Sequence, residues 1–263
     1  MFYALAEGKI DTGDLRYVHE LADIESLNQR ARRAELEVTA VSIHAYAYIW
    51  REYALLGSGS SMGDGYGPRL VSPRPVPGDP RGALRGLRVA VPGRLTTAYL
   101  ALKLYQPDVV DLVVPFDAIE DAVHSGQADV GLLIHEGQLT YADSGLKLWA
   151  DLGAWWLGDS GLPLPLGGNV VRRDLGPAVI RQISRDLRAS IVYALDHRAP
   201  ALTHARQFNR GIGEERTDTF VGMYVNQWTV DYGPRGREAV QTLLNRGFEA
   251  GIIPERVTAE FAG

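Results

Sequence analysis

The pattern of apolar and polar positions alternates between short apolar runs and longer stretches with helical periodicity. Runs of strand length occupy residues 15–21, 37–42, 69–72, 87–91, 112–115, 128–135 and 146–149. Helical patterns occupy residues 1–8, 23–33, 44–50, 96–104, 118–124 and 177–195, and others begin near residues 200, 214 and 236. Because strands and helices alternate, the pattern predicts an α/β fold with parallel sheets.

Two segments divide the chain into lobes. Residues 73–86 contain four prolines and are the best linker candidate, and the Pro-Leu alternation at 162–168 is a plausible return crossing. We therefore predict a discontinuous larger α/β domain of residues 1–82 and 168–263, with a smaller α/β domain of residues 83–167 inserted into it. Such a layout favours a ligand cleft between the lobes, since pockets are frequent at domain interfaces.

The run that begins at Gly131 stops abruptly at His135 and Glu136. Ligands of open α/β sheets bind at the carboxyl ends of the strands, so His135 is our first candidate for the chemistry. An imidazole can accept a proton near neutral pH without a cofactor. The alternative is a histidine whose nitrogens are satisfied by backbone groups. Glu136 either orients the ring or faces solvent, and adjacent strand residues make a poor pair of metal ligands.

Hydroxyl groups occupy two further positions where a ligand could bind. Thr96 and Thr97 stand at a predicted helix start, where free N–H groups and the helix dipole suit a carboxylate or phosphate. Ser42 ends a strand of the first lobe and could face the same cleft. For each of these residues, an ordinary helix cap is the alternative. Trp155 and Trp156 either stack on an aromatic ligand or pack in the core.

The composition excludes several functional classes for this protein. The net charge is −5 and no basic run occurs, so we expect no nucleic-acid partner. The absence of cysteine excludes disulfides, Cys-ligated zinc and a thiol nucleophile, and it fits the reducing cytoplasm. No apolar stretch approaches the roughly 20 residues that span a bilayer, so we expect no membrane association. The glycine-rich segment 57–68 lacks the pattern of a Walker loop and is either a turn-rich loop or a ligand-lining one.

Several stretches together resemble the 1,4-dihydroxy-6-naphthoate synthase family of the futalosine route to menaquinone. The most specific are Val-Ser-Ile-His-Ala-Tyr at residues 41–46, Leu-Arg-Val-Ala-Val-Pro-Gly-Arg at 87–94, Thr-Thr-Ala-Tyr at 96–99, Ile-His-Glu at 134–136, Asp-Leu-Gly-Ala-Trp-Trp at 151–156, Leu-Pro-Leu-Pro-Leu-Gly at 162–167 and Tyr-Val-Asn at 224–226. The resemblance begins at Phe2 and runs nearly to the C-terminus.

The resemblance implies a two-lobed, periplasmic-binding-protein-like (type II) fold with its ligand cleft between the lobes. It implies a carbon–carbon lyase that converts cyclic dehypoxanthinylfutalosine, a small-molecule carboxylate, to 1,4-dihydroxy-6-naphthoate and dihydroxyacetone. It implies no metal or organic cofactor. We also expect a cytoplasmic protein, and a homodimer is left open. The catalytic base of the family falls on His135, and its substrate-binding positions fall on Ala40, Val41, Ser42, Thr97 and Ala98.

The sequence departs from the family pattern at two places. Members of the family begin with a strand and a Ser-Pro-Cys-Pro-like loop, whereas this sequence begins within the helix that follows. Because the neighbours of that strand would lose hydrogen bonds at about 1–3 kcal/mol for each buried group, we expect the chain as given to be poorly stable or inactive. Many relatives have Lys where this chain has Ala40. If that lysine binds the substrate carboxylate, another cation or the helix end at Thr97 must replace it here.

Two other functions fit the same layout. A solute-binding protein would share the two lobes, because function depends on the site rather than on the fold. A chorismate dehydratase of the same pathway would share the fold as well. The Asp-Leu-Gly-Ala-Trp-Trp and Ile-His-Glu stretches argue against the dehydratase.

Overall fold

The computed structural model describes residues 1–207 and 214–262. In these residues the strands form two five-stranded sheets. The strands are β1 (Val38–Ser42), β2 (Tyr53–Leu56), β3 (Ser61–Gly63), β4 (Arg69–Ser72), β5 (Arg88–Val91), β6 (Val110–Val113), β7 (Val130–Leu133), β8 (Lys147–Asp151), β9 (Leu164–Arg172) and β10 (Phe261–Ala262). The first sheet has the order β1-β9-β2-β10, with β3 also paired to β9, and the second has the order β6-β5-β7-β4-β8.

Helices connect and cover the two sheets. They are α1 (Tyr3–Ala6), α2 (Ile24–Ala31), α3 (Ile43–Tyr46), α4 (Pro80–Ala83), α5 (Thr97–Tyr105), α6 (Ile119–His124), α7 (Gly137–Thr140), α8 (Leu152–Ser160), α9 (Pro177–Asp196), α10 (Arg198–Arg206), α11 (Glu214–Tyr224), α12 (Gln227–Val230) and α13 (Gly233–Glu249). None of the helices described is long and apolar enough to cross a membrane.

The second sheet contains the βαβαβ unit that the sequence predicts after residue 86. Strand β5 pairs in parallel with β6 on one side and with β7 on the other. Strands β4 and β8 complete this sheet, with β4 antiparallel to both β7 and β8. The apolar runs of β5 and β7 are buried throughout their last three residues, as expected for strands covered on both faces.

The first sheet differs from its prediction. Both β1 and β2 pair antiparallel with β9, and the parallel pairing is between β2 and β10. The prediction of a parallel sheet for this part was therefore wrong. The reason is that the nine-residue strand β9, which returns after the second sheet, lies between β1 and β2. A pattern read along the chain does not show that a distant strand separates two consecutive ones.

The predicted strand at residues 15–21 is absent from the structure. Val18 is 88% exposed and Leu21 is 74% exposed, so the alternation of this segment does not bury one of its faces. Apolar alternation stabilises a strand only when a partner sheet receives the apolar side. The other predicted strands are present with bounds shifted by a few residues.

The pairing of β4 bears on the division into lobes. Strand β4 precedes the proline-rich segment, but it is paired to β7 and β8 of the second sheet. This pairing favours a division within the glycine-rich segment 57–68, ahead of β4, rather than at residue 82. The return at 162–168 agrees with the start of β9 at Leu164. The domain boundaries stay a prediction.

Helix α8 carries the Asp-Leu-Gly-Ala-Trp-Trp stretch against the glycine-rich segment. Asp151 caps it by accepting hydrogen bonds from the N–H groups of Gly153 and Ala154, at 2.9 and 3.1 Å. A Cβ atom on Gly153 would lie 1.9 Å from the carbonyl oxygen of Tyr66, so no side chain fits there. Trp156 is fully buried and donates to the Pro163 carbonyl, which makes it a core residue.

Substitution of Gly153 by Ala should destabilise the protein although alanine favours helices. Overpacking against a backbone carbonyl typically costs about 1–3 kcal/mol. Gly158, in the same helix, is exposed and has no atom near its missing Cβ, so Gly158→Ala is the matched control. It should gain up to about 1 kcal/mol from helix propensity. Chemical denaturation of both variants gives the comparison, and equal free energies of unfolding would contradict the close contact.

Candidate active site

The parallel pairing of β5 and β7 brings two predicted site segments to one edge of the second sheet. Val89 lies opposite Val130 and Ala90 lies opposite Gly131, so both strands end at the same edge. Thr97 follows β5 and His135 follows β7. Neighbouring strands are about 4.8 Å apart, so these two segments leave the sheet side by side. Such an edge is where open α/β sheets bind their ligands.

His135 lies just beyond the end of its strand. The predicted strand 128–135 ends at Leu133, and His135 occupies a turn with φ of +56°. Its partly exposed ring contacts Phe116 edge to face, with the ring centroids 4.9 Å apart. A left-handed conformation is uncommon for a residue with a Cβ atom, and strained residues cluster at functional sites. The other described non-glycine residue with positive φ is Ala34, just after α2.

The start of α5 offers two hydrogen-bond donors. Thr96 is an ordinary N-cap, since its hydroxyl oxygen accepts from the Tyr99 N–H at 3.1 Å. The N–H groups of Thr97 and Ala98 donate no hydrogen bond within the described residues. Helix N-termini attract anions because these groups and the helix dipole point toward the ligand. The capping interpretation therefore holds for Thr96, whereas Thr97 and Ala98 keep the geometry of a carboxylate site.

Ser42 is held by a buried amide rather than used as a cap. The Asn28 side chain donates to the Ser42 hydroxyl oxygen at 3.1 Å and accepts from the Ser42 N–H at 2.9 Å. Ser42 makes no side-chain capping bond to α3. The preceding residues of β1 lie opposite Asn169 and Gly168 of β9, and the Val41 side chain is in the core. Any ligand contact of Val41 must therefore use its backbone.

His44 connects the Ser42 and Thr97 segments. Its backbone N–H donates to the Thr97 hydroxyl oxygen at 3.2 Å, and its ring Nδ1 lies 3.3 Å from the Thr96 carbonyl oxygen. Since a carbonyl only accepts, Nδ1 carries the proton in the neutral ring. Burial lowers the pKa of His44 to about 4. The structure thus brings Ser42 and Thr97 together, and it places His135 at the same sheet edge as Thr97.

A carboxyl group that the sequence reasoning missed lies beside the loop before α5. A Cβ atom on Gly93 would be 2.4 Å from Oε2 of Glu25, and this oxygen is buried with no hydrogen-bond partner in the described part of the chain. Burial raises the pKa of Glu25 above its usual range, although the Gln29 and Asn28 side chains favour the charged form. Glu25 and Asn28 share one face of α2, and nothing in the sequence distinguishes that face from a solvated one.

Two arginines near this edge are candidates for the cation expected to replace the lysine of relatives. Arg94, in the loop between β5 and α5, is 2.7 Å from the Asp111 carboxylate. Arg69 of β4 lies opposite Leu133, next to the His135 turn. Its guanidinium group is 3.4 Å from the Asp151 carboxylate, which balances its charge. The helix end at Thr97 and Ala98 is therefore the better replacement. Among the described residues, no group of three or more His, Asp or Glu side chains could hold a metal ion.

The chain is similar to known proteins over nearly its whole length. The menaquinone biosynthesis family matches residues 1–249. The 1,4-dihydroxy-6-naphthoate synthase of Thermus thermophilus is 40% identical over 252 residues, which cover 96% of this chain and 90% of the relative. The Streptomyces coelicolor protein of the same name is 37% identical over 264 residues, covering 97% and 90%.

Solved structures are similar over the same length. A protein from Archaeoglobus fulgidus has a TM-score of 0.90 and 44% identity, covering 96% of this chain and 93% of that one. The alkanesulfonate-binding protein of Xanthomonas axonopodis has a TM-score of 0.69, covering 90% and 83%, but only 12% identity. The second likeness shows the fold alone.

The fold and the sheet-edge site together define a two-lobed protein of the periplasmic-binding-protein-like class. The predicted fold class is thus confirmed. Within this class, the chain belongs to the menaquinone biosynthesis family. The predictions of the family and of an enzyme are confirmed, and the alternative of a solute-binding protein is not favoured.

The buried His44 should make stability depend on pH. An unfolded histidine takes up its proton near pH 6.5, whereas His44 in the folded protein does so near pH 4. Stability from this residue is therefore fully present above pH 6.5 and is lost as the pH falls toward 4, by roughly 3 kcal/mol.

The test compares His44→Phe with the wild type by chemical denaturation between pH 7 and pH 4. The variant should lose less stability over this range because it cannot be protonated, whatever its stability at pH 7. His124→Phe, at the exposed end of α6, is the control and should follow the wild type. Parallel pH profiles for the wild type and His44→Phe would be incompatible with a buried neutral His44.

Proposed function

We propose that the chain is a carbon–carbon lyase that converts cyclic dehypoxanthinylfutalosine to 1,4-dihydroxy-6-naphthoate and dihydroxyacetone. The observation that carries this proposal is the pairing of β5 with β7, because the segments of His135 and of the α5 N-terminus follow these two neighbouring strands. The names of the relatives from Thermus thermophilus and Streptomyces coelicolor support the product. The substrate is a carboxylate, which suits the helix end.

His135 is the general base of this proposal. Removal of a proton by an imidazole can drive carbon–carbon cleavage when the product gains an aromatic ring, and general bases contribute about 10²- to 10⁴-fold. The Phe116 ring contacts the His135 ring edge to face and restricts its orientation. The turn with φ of +56° sets the direction in which the ring leaves the sheet edge.

The substrate carboxylate binds at the start of α5. The N–H groups of Thr97 and Ala98 donate to it, and the helix dipole favours its negative charge. Ser42, with the backbone of Ala40 and Val41, contacts the substrate from the first sheet. The hydrogen bond from the His44 N–H to the Thr97 hydroxyl oxygen connects the Ser42 segment to the start of α5.

The cell location and the assembly belong to this proposal as well. We place the reaction in the cytoplasm, where the absence of cysteine is unremarkable in a reducing environment. A homodimer is compatible with the function. Sedimentation of the purified protein distinguishes a dimer from a monomer.

Replacement of His135 by Asn should reduce turnover by about 10²-fold or more, because the base is lost while the polarity of the side chain is kept. The assay is mass-spectrometric detection of 1,4-dihydroxy-6-naphthoate from the cyclic substrate. His124→Asn is the control because this histidine is exposed at the end of α6. Normal turnover by His135→Asn would remove His135 from the role of base. Conversion of chorismate by the wild type would favour the dehydratase instead.

Replacement of Thr97 by Pro should raise KM about tenfold more than replacement by Ala does. Proline is tolerated at the first helical position, and Thr96 already has the extended conformation that a residue before proline requires, with φ of −70° and ψ of 147°. Both variants lose the hydroxyl group, but only Thr97→Pro also loses the N–H donor. A hydrogen bond to a charged group is worth about 1.5–3 kcal/mol. Equal KM values for the two variants would exclude the amide as a carboxylate ligand.

A further inference from the structure

Gln138 is hydrogen-bonded to the turn that contains His135. It is the second residue of α7, and its side chain is 2% exposed. Its backbone N–H donates to the His135 carbonyl oxygen at 3.2 Å. Its own carbonyl oxygen accepts from Arg69, and its side-chain oxygen accepts from the Tyr224 hydroxyl at 2.6 Å. The residue three positions after His135 is therefore anchored from two other elements.

The short helix α7 depends on these anchors. It has four residues, and its N-cap residue Glu136 makes no side-chain capping bond. A helix of one turn has little stability of its own, because nucleation fixes several dihedral angles for few hydrogen bonds. The turn before it also holds His135 in a left-handed conformation. External hydrogen bonds must therefore stabilise this conformation.

The Tyr224 hydroxyl belongs to a helix that packs against the first sheet. Tyr224 is the last residue of α11, which packs against β3 of the first sheet and against α10. The hydroxyl of Tyr66 donates to the Met223 carbonyl oxygen, and the rings of Tyr66 and Tyr224 meet edge to face at 5.9 Å. These contacts hold the end of α11, so the Tyr224 hydroxyl has a defined position opposite Gln138.

Arg69 fixes Gln138 from within the second sheet. It begins β4, which pairs with β7, and its guanidinium group lies 5.4 Å from the centre of the Tyr141 ring, just after α7. Asp151 holds the same guanidinium group at 3.4 Å. Arg69 thus connects α7 to the second sheet, whereas Tyr224 connects α7 to α11, which packs against the first sheet.

We propose that Tyr224 is a positioning residue, whose hydroxyl group holds the His135 turn in its left-handed conformation by donating to the Gln138 side chain. The proposal rests on the proposed role of His135 as base. Tyr224 itself transfers no proton and acts through Gln138. The contact also makes the geometry of His135 depend on the position of α11, and hence on the arrangement of the two sheets.

The test compares Tyr224→Phe with Tyr53→Phe. Tyr53 of β2 is a matched control because it is buried and its hydroxyl donates to the Leu36 carbonyl oxygen, just before β1, at the same distance of 2.6 Å. Tyr224→Phe should lower kcat about three- to tenfold, the usual net effect of one hydrogen bond, and should leave KM within about twofold. Tyr53→Phe should leave both constants at the wild-type values. Equal kcat values for the two variants would overturn the proposal.

A double-mutant cycle isolates the contact itself. Gln138→Leu removes the acceptor, and adding Tyr224→Phe to this variant should then have little further effect on kcat, because the two side chains act as a pair. Gln138→Glu keeps an acceptor and should restore most of the activity lost in Gln138→Leu. Additive losses of kcat from the two substitutions would show that Tyr224 acts by another route.

NMR of ¹³C-labelled histidine separates this proposal from the proposed function. The His135 signal is assigned by its absence from the spectrum of His135→Asn. It should shift in Tyr224→Phe and stay unchanged in Tyr53→Phe, and an unshifted signal overturns the proposal. If His135→Asn retains turnover while the signal shifts, the role of His135 as base fails, but the positioning of its turn by Tyr224 stands.

Discussion

The parallel pairing of β5 with β7 is the constraint on which the candidate site depends. Two strands that run in the same direction deliver the residues that follow them to one edge of their sheet. One of these strands is followed by a helix with free N–H groups, and the other is followed by the His135 turn. The candidate carboxylate site and the candidate base therefore come from segments almost forty residues apart in sequence.

Buried hydrogen bonds connect this edge to the rest of the molecule. Asn28 holds Ser42, His44 joins the Ser42 segment to Thr97, and Tyr224 reaches Gln138 from α11. Each bond lies in a region of low dielectric constant, where an unpaired partner costs more than it would in water. The Ser42 segment and the start of α5 are thus held at a defined spacing. Glu25 adds a carboxyl group beside the start of α5, where its buried oxygen keeps its pKa raised.

The likeness to solute-binding proteins illustrates how little the fold decides about function. The alkanesulfonate-binding protein shares the fold at a TM-score of 0.69 with 12% identity. A cleft between two lobes and a helix end that binds an anion would serve a transport protein equally well. In this chain, a histidine with positive φ lies at the same sheet edge, and its carbonyl oxygen accepts a hydrogen bond from the Gln138 N–H. Chemistry of this kind depends on a few side chains placed on a common scaffold.

The sequence alone determined most local structure and the identity of the family. The apolar runs of β5 and β7, the cap at Thr96 and the periodicity of α9 follow from interactions within a few residues, so a local pattern predicts them. The tertiary structure decided the antiparallel pairing of β9 between β1 and β2, the exposure of Val18 and Leu21, and the position of β4 in the second sheet. It also revealed Asn28 and Glu25, which have no distinctive neighbours in sequence, and the hydrogen bond of Tyr224 to the distant Gln138. The physical reason is that strand partners, burial and hydrogen bonds between distant residues depend on which surfaces meet, and a pattern along the chain records only which surfaces are available.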